Sequence, residues 1–174
     1  MGEGVMQEKA FGLTPSPSLS PKGERNMTMT RVHATCVALR HGKTWRAVLL
    51  RGPSGAGKSD LALRLIETGW RLVADDQTEL GRQGRQVIAT APARIAGLIE
   101  ARGIGIVKVG RDQLVRRAAV ALLVDLAQPQ RIERLPEPAR EKILGIDLPV
   151  VSLAPFEASA SAKLRLALTQ IANA

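Results

Sequence analysis

The sequence is poor in cysteine and in aromatic residues. Of its 174 residues one is cysteine, none is tyrosine and 2% are aromatic. A single cysteine excludes an intramolecular disulfide and is typical of proteins from a reducing compartment. Because Cys36 lies within the apolar run 36–39, we predict a small buried hydrophobic side chain there rather than a reactive thiol.

Long apolar runs are also missing. No stretch of the sequence approaches the roughly 18 apolar residues that a helix needs to cross a bilayer. The N-terminal residues do not contain the apolar core of a signal peptide. We therefore expect a soluble, cytoplasmic protein with no membrane partner.

Negative charge is scarce relative to positive charge. The chain has 25 Lys and Arg residues against 16 Asp and Glu residues, a formal net charge of +9. This excess predicts an acidic ligand, which could be nucleotide phosphates, an acidic protein surface or nucleic acid. Binding of nucleic acid through base stacking needs exposed aromatic residues among the basic ones. The few aromatic side chains therefore lead us to expect no nucleic-acid partner; they are Phe11, Trp45, Trp70 and Phe156.

Length and core composition predict one α/β domain. A chain of 174 residues suits a single compact domain. Hydrophobic residues make up 45% of the chain and are almost all aliphatic, which suits a buried parallel sheet covered by helices. From Arg31 onward, short apolar runs alternate with helix-like segments. We expect an α/β domain over residues 29–174, with a twisted, mainly parallel sheet flanked by helices.

The first 28 residues differ from the rest of the chain. Residues 14–23 are rich in Pro, Ser and Gly, and we expect a disordered leader over residues 1–28. Met27 and Met29 stand at the end of this segment. An alternative is that translation starts at one of these methionines.

Apolar patterns and turn residues locate the expected elements. The runs 32–39 and 46–50 flank Gly42 and predict a β-hairpin. Residues 59–68 have apolar side chains at helical spacing. Pro92 suits a first helical position, so a helix is predicted over residues 92–100. Further strands are predicted at 70–74, 78–80, 86–90, 105–109, 120–126 and 148–153, a loop at 131–140 and a helix at 159–171.

The most specific motif is Gly-x4-Gly-Lys-Ser, the P-loop pattern, which stands between a predicted strand and a predicted helix. Glycines let backbone N–H groups converge on phosphate oxygens, and the following helix adds the positive end of its dipole. Lys58 supplies a point charge for the β- and γ-phosphates, and the Ser59 hydroxyl can ligate Mg²⁺. We therefore predict binding of ATP or a close relative. The predicted nucleotide-binding residues are Gly52, Pro53, Ser54, Gly55, Ala56, Gly57, Lys58 and Ser59.

Carboxylates suited to phosphoryl transfer follow two apolar runs. Asp75 and Asp76 end the run that begins at Trp70, and Asp125 ends the run that begins at Val120. A P-loop enzyme needs carboxylates for magnesium and a group that deprotonates or orients the acceptor. The pair is the stronger candidate because repulsion between neighbouring carboxylates makes one of them a better proton acceptor. Alternatively, one aspartate of the pair caps a turn and the other is solvated. For Asp125, a functional and a structural role both stay open.

Four segments together resemble one known family. The segments are 32–34, 52–60, 71–76 and 100–109. In this combination, residues 31–153 resemble the catalytic domain of HPr kinase/phosphorylase. The segment Glu-Ala-Arg-Gly-Ile-Gly-Ile, which begins at Glu100, is the distinctive one because ordinary P-loop kinases lack it.

The resemblance implies an enzyme that uses ATP and Mg²⁺ to phosphorylate a serine of HPr, a small phosphocarrier of the sugar phosphotransferase system, and that forms a hexamer. It implies Asp75 as the general base, with His33 beside the acidic group. It implies that Lys58 steadies the transferred phosphoryl group. Arg134 matches the essential arginine that the family carries in a mobile loop. The magnesium candidates are Ser59 and Glu100, by resemblance, and Asp76.

The sequence departs from the family pattern in two places. The long N-terminal domain of the family has no counterpart here, and its Pro-Gly-Arg-Asn element, associated with dephosphorylation, is replaced by residues 155–159. The second departure puts the reverse, phosphorylase reaction in doubt. Two other functions stay open, a P-loop kinase of a small hydroxylated metabolite and a nucleotide-binding sensor without transfer activity.

Overall fold

A computed structural model of the protein describes residues 29–173, so the predicted leader and the alternative start at Met27 lie outside the described residues. The described chain forms ten β-strands, two α-helices and three 3-10 turns. The strands are β1 (Met29–His41), β2 (Thr44–Arg51), β3 (Arg71–Ala74), β4 (Gln77–Gln83), β5 (Gln86–Thr90), β6 (Leu98–Ala101), β7 (Gly105–Lys108), β8 (Arg117–Leu126), β9 (Ala139–Ile143) and β10 (Ile146–Leu153). The helices are α1 (Lys58–Glu67) and α2 (Ala160–Asn173), and the 3-10 turns are Ala93–Ile95, Arg111–Gln113 and Pro129–Arg131. Within residues 29–173 there is no helix with the length and apolarity to cross a membrane.

Five strands pair in a closed ring. β1 pairs with β2 and β4, β8 pairs with β2 and β5, and β4 pairs with β5. β3 lies beside β1, while β10 and then β9 lie beside β8. β6 and β7 form a separate hairpin. With 13 and 10 residues, β1 and β8 are long enough to change partners along their length, which lets the twisted sheet close.

The sheet is mixed and mostly antiparallel, so the prediction of a mainly parallel sheet is wrong. Only the pairs β2–β8 and β8–β10 are parallel. The cause lies in the turns, because residues 42–43, 84–85 and 144–145 each join two consecutive strands. Two-residue turns can join only antiparallel strands. The coarser prediction, an α/β domain, is confirmed.

Both faces of the curved sheet are buried, which accounts for the aliphatic composition without a parallel sheet. Neighbouring side chains of β1 point to opposite faces, so Cys36 belongs to a core made by the strands and Val37 to a core beneath the helices. Leu61 of α1 and Leu164 of α2 both join the second core. The helices thus cover one face. Burial raises the pKa of the Cys36 thiol, and the predicted buried hydrophobic side chain is confirmed.

Local predictions succeeded where turn and helix signals agreed. The hairpin around Gly42 and helices close to 59–68 and 159–171 are confirmed. The helix predicted for 92–100 is wrong, because only a 3-10 turn forms before Gly97, whose φ of 78° redirects the chain into β6. The loop predicted for 131–140 is correct only in its first part, because β9 begins in its last two residues and pairs with β10.

Candidate active site

Three strands bring polar residues to one edge of the sheet. β2 and β3 both run antiparallel to β1, and β8 runs parallel to β2. Their carboxyl ends therefore point the same way, so the residues that follow them meet at one edge of the sheet. The glycine loop, defined here as residues 52–57, follows β2 directly. Asp75 and Asp76 follow β3, and Asp125 lies one residue before the end of β8.

The glycine loop needs glycine for its backbone shape. Gly55 and Gly57 have φ values of 81° and 90°, in the left-handed region that other residues rarely adopt. Close approach adds a second requirement at Gly57, because a β-carbon there would lie 2.7 Å from the ring of Phe156. No side chain of the described residues caps the N-terminus of α1. The backbone N–H groups of its first turn are therefore available to an anion.

Lys58 places a buried positive charge beside this loop. Its side chain is 6% exposed, and its Nζ donates to the carbonyl oxygens of Gly52 at 2.9 Å and of Pro53 at 3.1 Å. Because an ammonium group carries three N–H donors, one donor remains for a phosphate oxygen. Two loop carbonyls thus hold the ammonium group against the glycine loop.

Asp75 is buried, and both of its carboxylate oxygens accept hydrogen bonds. Its Oδ1 accepts from the hydroxyls of Thr35 and Ser59, each at 2.8 Å. Its Oδ2 accepts from the backbone N–H of Glu100 at 3.0 Å. The side chain therefore ties together β1, the start of α1 and β6. Because Ser59 donates its proton to Asp75, the lone pairs of the Ser59 oxygen are left for another partner.

Asp76, by contrast, is exposed and turns away from its neighbour. Its φ of 60° is unusual for a residue other than glycine. Because of this backbone conformation, the carboxylates of Asp75 and Asp76 face different partners. Its Oδ1 lies 2.6 Å from Nε2 of His33, and both side chains are more than half exposed. The pair offers a carboxylate and an imidazole that can exchange a proton with an arriving group.

Most of these groups border one cleft of about 380 Å³. Lys58 and Ser59 line one part of it, Asp76 and Glu100 line another, and Phe156 lies at its rim beside the glycine loop. The full lining consists of Ser54, Gly55, Gly57, Lys58, Ser59, Asp60, Leu63, Asp76, Glu100, Ala101, Arg102, Ile104 and Phe156. Of the residues expected from the sequence, the fold brings together the glycine loop, Lys58, Ser59, Asp76 and Glu100.

Six expected residues stand outside the cleft lining, and three of them belong to the glycine loop: Gly52, Pro53 and Ala56. Asp75 lies beneath it, as its burial requires, and His33 reaches it through Asp76. Arg134 is exposed in the segment that follows the 3-10 turn Pro129–Arg131, and it is not among the residues that border the cleft. The structure therefore does not join Arg134 to the other expected residues.

Asp125 makes a structural ion pair. Its carboxylate accepts two hydrogen bonds from Arg51, at 2.8 and 3.1 Å, and Glu141 accepts from the same guanidinium at 2.8 Å. Burial by itself would lower the pKa of Arg51, but these hydrogen bonds and the attraction of both carboxylates outweigh it and raise that pKa. The network joins β2, β8 and β9 directly before the glycine loop. Of the two roles left open for Asp125, the contacts favour the structural one.

The cleft has ligands for a cation but no dedicated cage. Within residues 29–173, no group of three or more His, Cys, Asp or Glu side chains is arranged to hold a metal. Magnesium does not need such a cage, because it binds through one or two protein ligands together with water and substrate phosphates. The Ser59 hydroxyl oxygen and the Glu100 carboxylate are of the chemical type that it prefers.

Comparison with known proteins identifies the family. A family model described as the HPr serine kinase C-terminal domain matches residues 26–164. The chain belongs to this family. It is similar in structure to the HPr(Ser) kinase/phosphatase from Coxiella burnetii, with a TM-score of 0.67 and 31% sequence identity over 83% of this chain and 89% of that one.

Curated relatives of the HPr serine kinase domain give the same result. The chain is 36% identical over 115 residues to the HPr kinase/phosphorylase of Brevibacillus brevis, covering 61% of this chain and 37% of that protein. It is 40% identical over 116 residues to the HPr kinase/phosphorylase of Prosthecochloris aestuarii, covering 61% and 34%. The chain therefore matches about a third of the length of these relatives.

Three residues of the site were missed by sequence reasoning. Thr35 is a hydroxyl residue inside an apolar run, which could have signalled a buried hydrogen bond. Phe156 is a rare aromatic residue beside Pro155, in a segment without strand or helix periodicity. Arg51 ends a strand next to the motif, and nothing local in the sequence points to its distant partners.

Proposed function

We propose that this chain is an ATP-dependent serine protein kinase that phosphorylates an HPr-like phosphocarrier. One observation carries the proposal: the glycine loop with Lys58 opens onto the same cleft as a carboxylate paired with a histidine. Family membership and the names of the relatives support it. The activity stays a proposal because the chain matches only about a third of the relatives' length.

The nucleotide is bound through its phosphates at the glycine loop. Backbone N–H groups of the loop and of the first turn of α1 donate to phosphate oxygens, and Lys58 donates its remaining N–H. The low exposure of Lys58 strengthens this attraction, because less water screens the charge. This geometry supports a P-loop role for the motif.

Ser59 and Glu100 would hold magnesium together with the phosphates of the nucleotide. When bound, it neutralises charge on the β- and γ-phosphates. Asp75 has a positioning role in this arrangement, because it accepts the proton of the Ser59 hydroxyl and the backbone N–H of Glu100. It thereby positions the Ser59 hydroxyl and the backbone of Glu100.

Two aspartates compete for the role of proton acceptor. The family resemblance implies Asp75, whose oxygens already accept three hydrogen bonds in a buried position. Access favours Asp76, because it lines the cleft and lies 2.6 Å from His33. We propose that Asp76 takes the proton of the acceptor serine and that His33 orients it. A positioned base of this kind contributes about 10²- to 10⁴-fold to the rate.

The surroundings of the cleft favour a protein acceptor over a small metabolite. Ile104 at the cleft rim is 80% exposed, and Ile106 on the same hairpin is 73% exposed. Such exposed apolar side chains beside a site are typical of protein contact surfaces.

A role of Arg134 in transfer requires its exposed segment to approach the cleft. The hexamer remains an expectation from the resemblance, the cytoplasmic location one from the composition, and a doubtful reverse reaction one from the departure at residues 155–159.

The test is a transfer assay with γ-labelled ATP, Mg²⁺ and an HPr-like carrier. Phosphoserine on the carrier supports the proposal. Transfer to a small hydroxylated metabolite without any carrier would favour the metabolite kinase instead. Binding of ATP without transfer to either acceptor would favour the nucleotide sensor.

Paired asparagine variants separate the two aspartates. Asp76→Asn should lower turnover by about 10²-fold or more while ATP affinity stays within about threefold. Asp75→Asn should mainly raise the Mg²⁺ concentration needed for activity, since it perturbs Ser59 and Glu100, and added Mg²⁺ should restore part of the activity. The reverse pattern, with Asp76→Asn active and Asp75→Asn inactive at any Mg²⁺ concentration, would return the base role to Asp75.

A further inference from the structure

We propose that Phe156 is the platform on which the base of the bound nucleotide stacks. The inference rests on the proposed nucleotide-binding role of the glycine loop. The glycine loop binds only the phosphates in that role. We place the base of the nucleotide at the segment between β10 and α2. This segment occupies the place where the sequence departs from the Pro-Gly-Arg-Asn element.

Phe156 is the aromatic side chain of the described chain that has a free face. Its side chain is 70% exposed. Trp70 is 1% exposed, and Trp45 is half-buried with the guanidinium of Arg71 over its ring at 4.6 Å. Single exposed apolar residues are common on protein surfaces, so exposure alone does not indicate a function. The position of the ring provides the further argument.

The ring lies against the phosphate loop. Its edge lies so close to Gly57 that any β-carbon there would clash. The preceding residue, Pro155, is buried, and its carbonyl oxygen accepts from Arg64 of α1 at 2.5 Å. The segment is thereby attached to the helix whose N-terminus faces the phosphates. A ring with only two side-chain torsions, held in this way, loses little conformational freedom when a ligand stacks on it.

The same cleft contains both ends of the proposed ligand site. Phe156 lines it together with Gly55 and Lys58. A single ribose joins the base of a nucleotide to its phosphates, so a ring bordering the phosphate loop is within reach of the base. Stacking is open to every base because each has a π-face. The ring therefore favours nucleotides over inorganic polyphosphate without reading hydrogen bonds on the base.

The experiment compares two ligands that share the phosphates and differ in the base. Isothermal titration calorimetry with Mg²⁺ gives Kd for ATP and for inorganic tripolyphosphate. Phe156→Ala should weaken ATP binding about tenfold and leave tripolyphosphate binding unchanged within about twofold. Phe156→Tyr keeps the ring and should bind ATP like the unmodified protein. Leu166→Ala is the matched control, because it truncates a 63% exposed apolar side chain away from the cleft.

Each other outcome overturns the inference in a distinct way. Unchanged ATP affinity in Phe156→Ala would remove the stacking role while leaving the proposed function intact. An equal loss of affinity for ATP and for tripolyphosphate would mean that Phe156 supports the shape of the glycine loop instead. If the unmodified protein bound neither ligand, the proposed function itself would fail. Thermal unfolding of every variant, measured without ligand, checks that the fold is retained.

Discussion

Replacing Thr35 by valine removes one hydroxyl group from beneath the cleft at almost constant side-chain volume. Thr35 is fully buried, and its hydroxyl donates to Oδ1 of Asp75 at 2.8 Å and accepts from the backbone N–H of Asp76 at 3.3 Å. A hydrogen bond to a charged group contributes about 1.5 to 3 kcal/mol. We therefore expect Thr35→Val to lower the free energy of unfolding by about 2 kcal/mol.

For a domain of this size, each kcal/mol corresponds to roughly 2 to 4 °C in Tm, so the expected decrease is about 4 to 8 °C. Urea unfolding followed by circular dichroism, without nucleotide, measures the free energy directly. Thr35→Ser is the matched control, because it keeps the hydroxyl and loses only a methyl group. It should retain most of the hydrogen-bond contribution.

A double-mutant cycle with Asp75→Asn isolates the contact. A neutral amide accepts a weaker hydrogen bond than a carboxylate. Thr35→Val should therefore lower the free energy of unfolding by less in the Asp75→Asn background than in the unmodified protein. Equal costs in the two backgrounds, or a loss below about 0.5 kcal/mol for Thr35→Val alone, would refute the view that Thr35 holds Asp75 in place.

Two further predictions concern glycine and cysteine. Gly57 and Gly69 both have a φ of 90°, but only Gly57 has a neighbour that a β-carbon would strike. Gly69→Ala should therefore lower the free energy of unfolding only by the backbone strain, about 1 to 2 kcal/mol. Gly57→Ala should lower it further, because the ring of Phe156 must move and the new β-carbon would also lie 3.3 Å from Pro155. Equal losses in urea unfolding would contradict the close packing of these two residues on the loop. Burial raises the pKa of the Cys36 thiol. Above about pH 8.5 the thiol of the unfolded chain therefore loses a proton that the native state keeps. The contribution of this thiol to the free energy of unfolding is complete below that pH and falls above it by up to about 1.4 kcal/mol per pH unit. The stability advantage of the unmodified protein over Cys36→Ala should shrink between about pH 8 and pH 10, and a constant difference would contradict the buried, protonated thiol.

Local signals in the sequence were sufficient for much of the fold. The Gly42 hairpin and the helix after the glycine loop follow from residue types within a few positions of each other. Such signals could not predict the direction of the strands, because apolar runs look alike in parallel and antiparallel sheets when both faces are buried. The failed helix at 92–100 has a similar cause. Its apolar spacing suits a helix, but pairing of β6 with β7 satisfies the backbone instead.

The sequence by itself determined the chemical types at the site: the glycine loop with Lys58 and Ser59, and the adjacent Asp75 and Asp76. These belong to motifs whose members are near neighbours in the chain, so their spacing is visible without a fold. Only the tertiary structure decided which aspartate faces the cleft, because a left-handed turn at Asp76 and the distant Thr35 direct the two carboxylates apart. It alone also brought Phe156 against the glycine loop, across about a hundred residues of chain that carry no local sign of the contact.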